Sequence, residues 1–192
     1  MHQPWVRSDP VPRASHTMIY IGIDNGVTNN GIGVVNSVGI AKLYPLPIKR
    51  ELSYTKDAKH ISRIDFDLLC MRFGEIVADF QEPDVKVGLE RPMVNSARFN
   101  ASMSAVRALE ATLIALERAQ LAYEYIDSKE WQKHLLPAGI KGSDELKKAS
   151  LDIGKRLFPQ LNIKKDADGL LIAEFLRRKN QNLLKNGKNA AT

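Results

Sequence analysis

Met18-Ile19-Tyr20-Ile21-Gly22-Ile23-Asp24-Asn25-Gly26-Val27-Thr28-Asn29-Asn30-Gly31-Ile32-Gly33-Val34-Val35 reads as two short strands joined by a tight polar turn. Ile19, Tyr20, Ile21 and Ile23 are β-branched or aromatic, and Gly22 permits close approach of another backbone. Asn25-Gly26 and Asn29-Asn30-Gly31 carry the positive-φ bias of turns. The first strand is almost wholly apolar, which predicts a central strand buried on both faces. It ends on one carboxylate, Asp24. An acid at the tip of a buried strand is a costly place for an unpaired charge and a good place for a metal ligand.

Taken alone, Asp24 does no more than start a turn. Two further acidic segments change its weight. Val85-Lys86-Val87-Gly88-Leu89 runs into Glu90, and Pro92 ends that strand because it cannot donate to a ladder. Downstream, Asp166-Ala167-Asp168-Gly169 opens a helix through Leu170, Leu171, Ile172 and Phe175. Asp168 shares the inward face with Leu171, Ile172 and Phe175, at i+3, i+4 and i+7. One of Asp166 and Asp168 is expected to cap this helix. Acids gathered from distant segments suit hard divalent cations.

The same residues carry a resemblance. Gly22-Ile23-Asp24-Asn25-Gly26 resembles the opening of RuvC-type Holliday junction resolvases, in the ribonuclease H-like superfamily. Leu89-Glu90 is similar to their second acidic element, and Asp166 to Ala173 to their C-terminal acidic helix. The resemblance spans residues 18 to about 178. Asn25 stands where the family usually has proline, and Lys165 where it often has Asp or His. A charged lysine cannot bind a metal, so Asp166 becomes the candidate fourth ligand. The resemblance implies metal ligation and catalysis by Asp24, Glu90, Asp166 and Asp168 with Mg²⁺, for which Mn²⁺ can substitute. Two such ions about 4 Å apart would activate water and stabilise the leaving oxygen of a phosphodiester. It also implies basic residues near the scissile phosphate, here Lys133 (also assigned a catalytic role) and Lys148. Arg91 and Arg98 flank the acids and can hold a DNA backbone. The expected partner is branched DNA, and the expected assembly a homodimer, because two like nicks in a two-fold junction call for two related sites.

The chain has 192 residues, 44% hydrophobic and 26% charged, enough for one core. A net charge of +6 permits a polyanionic partner. The single cysteine, Cys70, excludes an internal disulfide and a Cys-based zinc site. No segment is apolar enough to span a membrane, and no secretory leader is visible, so a cytoplasmic location is expected. Residues 1–17, with Pro4, Pro10 and Pro12, read as a flexible arm or extension, 18–180 as the nuclease domain and 181–192 as a basic tail.

A third strand is expected within Gly39 to Ile48, at an edge marked by Pro45 and Pro47. Lys49 to His60 reads as a polar loop, and Ser62 as the cap of a helix to about Gln81. Asn95 to Leu121 contains a long helix with one stripe of Val106, Leu109, Leu113 and Leu116. A second stripe of small residues includes Ala101, Ala105, Ala108, Thr112, Ala115 and Ala119; it packs on the sheet or on a second subunit. A strand over Ala122 to Ile126 precedes two more helices, the later capped by Ser143 with Leu146, Ala149, Ile153 and Leu157 inward. Arg177, Arg178, Lys179, Lys185 and Lys188 suit loose phosphate contact. The sum is an α/β chain with a ribonuclease H-like mixed five-stranded sheet flanked by helices. Competing readings are a non-catalytic junction-binding relative and an actin-like or sugar-kinase-like nucleotide-binding domain. The latter needs a second phosphate loop, which the sequence lacks.

Overall fold

The computed structural model describes residues 17–27, 31–54, 56, 59–81 and 84–189, without the side chains of 183–189. The expected N-terminal arm (apart from Thr17), the tip of the first turn and Pro83 lie outside these residues. Strands β1 (Met18–Ile23), β2 (Gly31–Asn36), β3 (Ala41–Pro45), β6 (Asp84–Glu90) and β7 (Tyr123–Ile126) form one sheet in the order β3-β2-β1-β6-β7. β1 pairs antiparallel with β2 and parallel with β6, and the edge pairs are β2–β3 antiparallel and β6–β7 parallel. The sheet is mixed, five-stranded and flanked by helices, and β1 is central, as the apolar run predicts.

Alternation along β1 splits the core in two. Ile19, Ile21 and Ile23 face α1 (Phe66–Phe80) and α2 (Phe99–Arg118), with Leu69, Phe73, Ile76, Ala108, Ala115 and Leu116. Tyr20 faces the other layer, built from α3 (Ser128–Leu135), α4 (Ser143–Leu157) and α5 (Asp168–Asn189). On that second face the sheet carries a lane of glycines. Gly33, Gly22 and Gly88 are paired side by side across β2, β1 and β6. A Cβ on Gly33 would sit 2.2 Å from the Leu170 nitrogen, and one on Gly88 2.7 Å from Leu176 Cδ1. Only a surface without side chains lets α5 lie this close, and its first turn lands at the end of β1.

Several expectations need correction. Lys49 to His60 is not simply loop: β4 (Ile48–Leu52) and β5 (His60–Ile64) pair as a separate antiparallel hairpin. Its alternation is carried by charged residues, so no apolar pattern announces it. Ser62 lies in β5, and α1 is capped by Asp65, whose side chain accepts the Leu68 N–H. α4 starts at Ser143 after Gly142, and Ser143 does not cap it. Its fully buried residues are Ser150 and Gly154, where Ala167 Cβ would meet a Cβ on Gly154 at 2.4 Å; Leu146, Ile153 and Leu157 pack on the core half-buried, as expected. α5 runs on through Asn189, past the expected start of a tail. No described helix is long and apolar enough to cross a membrane.

Candidate metal centre

The alternation that turns Tyr20 and Gly22 toward α5 turns Asp24 the same way, and Gly88 directs Glu90 likewise. Ile23 pairs with Leu89, so the two acids leave neighbouring parallel strands side by side. Asp168 is the first residue of α5, which the glycine lane holds against the sheet. Asp166 stands two residues earlier, and its Oδ1 accepts the Asp168 N–H at 2.8 Å, so it is the capping member of the pair. Carboxylate oxygens of Asp24, Asp166 and Asp168 lie within 4.8 Å of one another. Glu90 stands at the margin of this trio. It hydrogen-bonds with Asp24, and its Oε1 accepts the Trp131 Nε1–H at 3.1 Å.

Burial and like charge make the cluster reluctant to ionise. Burial pushes Asp24 well above the carboxylate range, and the charges of Glu90 and Asp166 push further. Asp168 rises to about 7, by burial first and then by Asp166, against the hydrogen bond from Ser150. Burial also raises Glu90 and Asp166; Trp131 opposes the shift at Glu90, and the Asp168 N–H opposes it at Asp166. An all-carboxylate set matches a hard divalent cation, which would relieve both causes.

Asp24, Glu90 and Asp168 open onto a cleft of about 590 Å³. Arg91, Arg98, Lys129 and Lys147 give it a basic rim, so an anion held by the rim is presented to the acids. Arg91 also lies over the Tyr125 ring, 5.0 Å from its centre. Asn25 is buried beside Asp24, and its Nδ2 has no hydrogen-bond partner among the described residues. Asp166 borders a separate hollow, with Lys164 and Lys165.

Thus the structure brings together Asp24, Glu90, Asp166 and Asp168, with Arg91 and Arg98 at the rim. It places Lys133 elsewhere, on a neighbouring hollow with Leu136 and Pro137, and leaves Lys148 exposed outside the cleft. The α3 residues that line the cleft are Ser128, Lys129, Trp131 and Gln132. The α4 lysine that faces the acids is Lys147, whose charge acts on Asp24, Asp166 and Asp168. The signal for it was the helical spacing of Ser143, Leu146, Lys147 and Ser150, all of which line the cleft. Arg177 and Arg178 are not free for phosphate: both donate to the buried Glu174, at 2.7 and 2.6 Å.

No protein-family model matches the chain, and no curated protein matches it. Solved structures do. RuvC of Thermus thermophilus is 19% identical, with a TM-score of 0.54, over 85% of this chain and 97% of that one. T. thermophilus RuvC in complex with a Holliday junction substrate is 18% identical, with a TM-score of 0.53, over 82% and 92%. The yeast mitochondrial Holliday junction resolvase Ydc2 gives 16% identity and a TM-score of 0.48 over 88% and 83%. The described chain has the fold of the RuvC resolvases, the ribonuclease H-like mixed sheet with its helical flanks.

Proposed function

We propose that this protein is a metal-dependent endonuclease that nicks four-way DNA junctions. What supports this is the convergence of Asp24, Asp166 and Asp168, of which Asp24 and Asp168, with Glu90, line a cleft rimmed by Arg91, Arg98, Lys129 and Lys147. The fold likeness to a junction-bound resolvase supports it. The acids fit Mg²⁺ or Mn²⁺: they offer only oxygen, and burial and their like charges disfavour their ionised forms in the absence of a cation. When bound, such a cation supplies Lewis acidity at a phosphodiester oxygen and lowers the pKa of water. Asp24, Asp166 and Asp168 would hold it, and Glu90 would complete the set. Arg91 and Arg98 clamp the backbone, and Lys147 lies nearest the acids to neutralise charge developing on the phosphate. Lys133 and Lys148, outside the cleft, serve at most the flanking duplex.

The assembly is a homodimer, because two strands of like polarity need two related sites. Its contact is not the small-residue stripe. Ala108, Thr112 and Ala115 are buried in the core, and Ala105 lines the cleft. α2 instead exposes Phe99, Met103, Val106 and Ile114 along one face, continued by Met93 and Val94. A second copy covering this stripe would remove it from water. The test is incubation of a synthetic junction with Mg²⁺ and separation of the strands on a denaturing gel. Symmetric nicks support the reading. Binding without cleavage, in Mn²⁺ as well, would make the protein a junction-binding relative.

A further inference from the structure

Two buried side chains from outside the acid set donate into it. Trp131, on α3, is 1% exposed and gives its Nε1–H to Glu90 Oε1 at 3.1 Å. Ser150, on α4, is 3% exposed and gives its Oγ–H to Asp168 Oδ1. A carboxylate with one oxygen tied to a fixed donor loses its freedom to rotate and keeps its other oxygen available. Asp166 is tied in the same manner by the Asp168 N–H. The ties to Glu90 and Asp168 come from separate helices, each lining the same cleft.

We propose that Trp131 and Ser150 are positioning residues that hold Glu90 and Asp168 each with one oxygen turned to a divalent cation. This rests on the acid cluster being a cation site. A purely structural role predicts something different. Trp131 would then be a core ring whose N–H happened to find an acceptor, and Ser150 a small residue that lets α4 approach α5. Losing either donor would cost stability and leave cation affinity alone.

The experiment uses the full chain with Trp5 replaced by Phe, so that Trp131 is the single indole. Mn²⁺ is titrated while indole emission and free Mn²⁺ (by its electron paramagnetic resonance signal) are followed together. Saturable quenching of Trp131 should track Mn²⁺ uptake. Ser150→Ala should weaken Mn²⁺ binding by about 10- to 100-fold while the far-ultraviolet circular dichroism and melting curve stay intact. Trp131→Phe keeps an aromatic ring, though a smaller one, and removes the donor, and should weaken binding to a similar extent. Ser150→Ala removes one hydroxyl, so it decides the matter even where Trp131→Phe does not fold. Unchanged Mn²⁺ affinity in a folded Ser150→Ala protein would overturn the proposal. Absence of Mn²⁺ uptake by the starting protein would overturn it as well, and would overturn the cation reading itself. Uptake with no response to either substitution would spare that reading.

Discussion

A Cβ on Gly22 would stand 2.1 Å from the Gly169 carbonyl oxygen, so β1 and the first turn of α5 touch backbone to backbone. This contact sets the distance between Asp24, two residues beyond Gly22, and Asp168, one residue before Gly169. Gly22→Ala therefore has no flexible neighbour to push aside. We expect it to cost about 1–3 kcal/mol or more, as overpacking does, measured by urea unfolding, and to weaken Mn²⁺ uptake as α5 lifts. Gly74→Ala is the control: a Cβ there meets nothing within 4 Å. In the interior of α1 it should stabilise by up to about 1 kcal/mol.

The acid cluster makes stability depend on pH in an unusual direction. Asp168 has a folded-state value of about 7, above its unfolded value of 3.8, so between these the folded state binds more protons. Without divalent cation the protein should be more stable at pH 5 than at pH 8, by an amount on the order of a few kcal/mol. Saturating Mg²⁺ should flatten that difference by stabilising the ionised cluster. Asp168→Asn should reduce it without metal, and the raised Asp24, Glu90 and Asp166 should leave a remainder of the same sign. Melting curves at the two pH values, with and without Mg²⁺, check both statements.

The central sheet was legible because β1 is apolar on both faces and ends at a lone acid. The hairpin of β4 and β5 was not, because Lys49, Arg50 and Glu51 run consecutively through β4 and put charges on both of its faces, so neither face reads as apolar. Lys49 and Arg63 both pair with Glu51, an arrangement with no signature in hydropathy. The acids were legible from their places at strand and helix ends. The basic side of the site was half legible. Helical spacing separates Lys147 from Lys148 by about 100°, and only the fully buried ridge through Ser150 and Gly154 decides which of them meets the acids.

That ridge gives a prediction about lysines. Lys147→Ala should lower turnover on a junction by about 10- to 100-fold, in line with loss of one group that stabilises developing charge. Lys133→Ala should change turnover by less than about threefold and act, if at all, on affinity. Single-turnover cleavage rates at saturating protein separate the two. Equal defects would move the substrate path toward the hollow beside Lys133.

The exposed face of α2 predicts the oligomeric state. Val106 and Ile114 are 41% and 45% exposed on a stripe with Phe99 and Met103. The unmodified protein should be a dimer at micromolar concentration by light scattering. Val106→Glu with Ile114→Glu should yield a folded monomer, since neither side chain is in the core. A monomer before substitution, free and on a junction, would remove the stripe from the account.

The central claim is that the acids around Asp24 cut branched DNA. A four-way junction with each strand labelled in turn, incubated with Mg²⁺ and resolved on a denaturing gel, tests it most directly when the unmodified protein and Asp24→Asn are run side by side. The unmodified protein should make paired nicks in two strands of like polarity, and Asp24→Asn should give a shifted but intact junction. Intact strands from the unmodified protein in both Mg²⁺ and Mn²⁺, or the same nicks from Asp24→Asn, would contradict it.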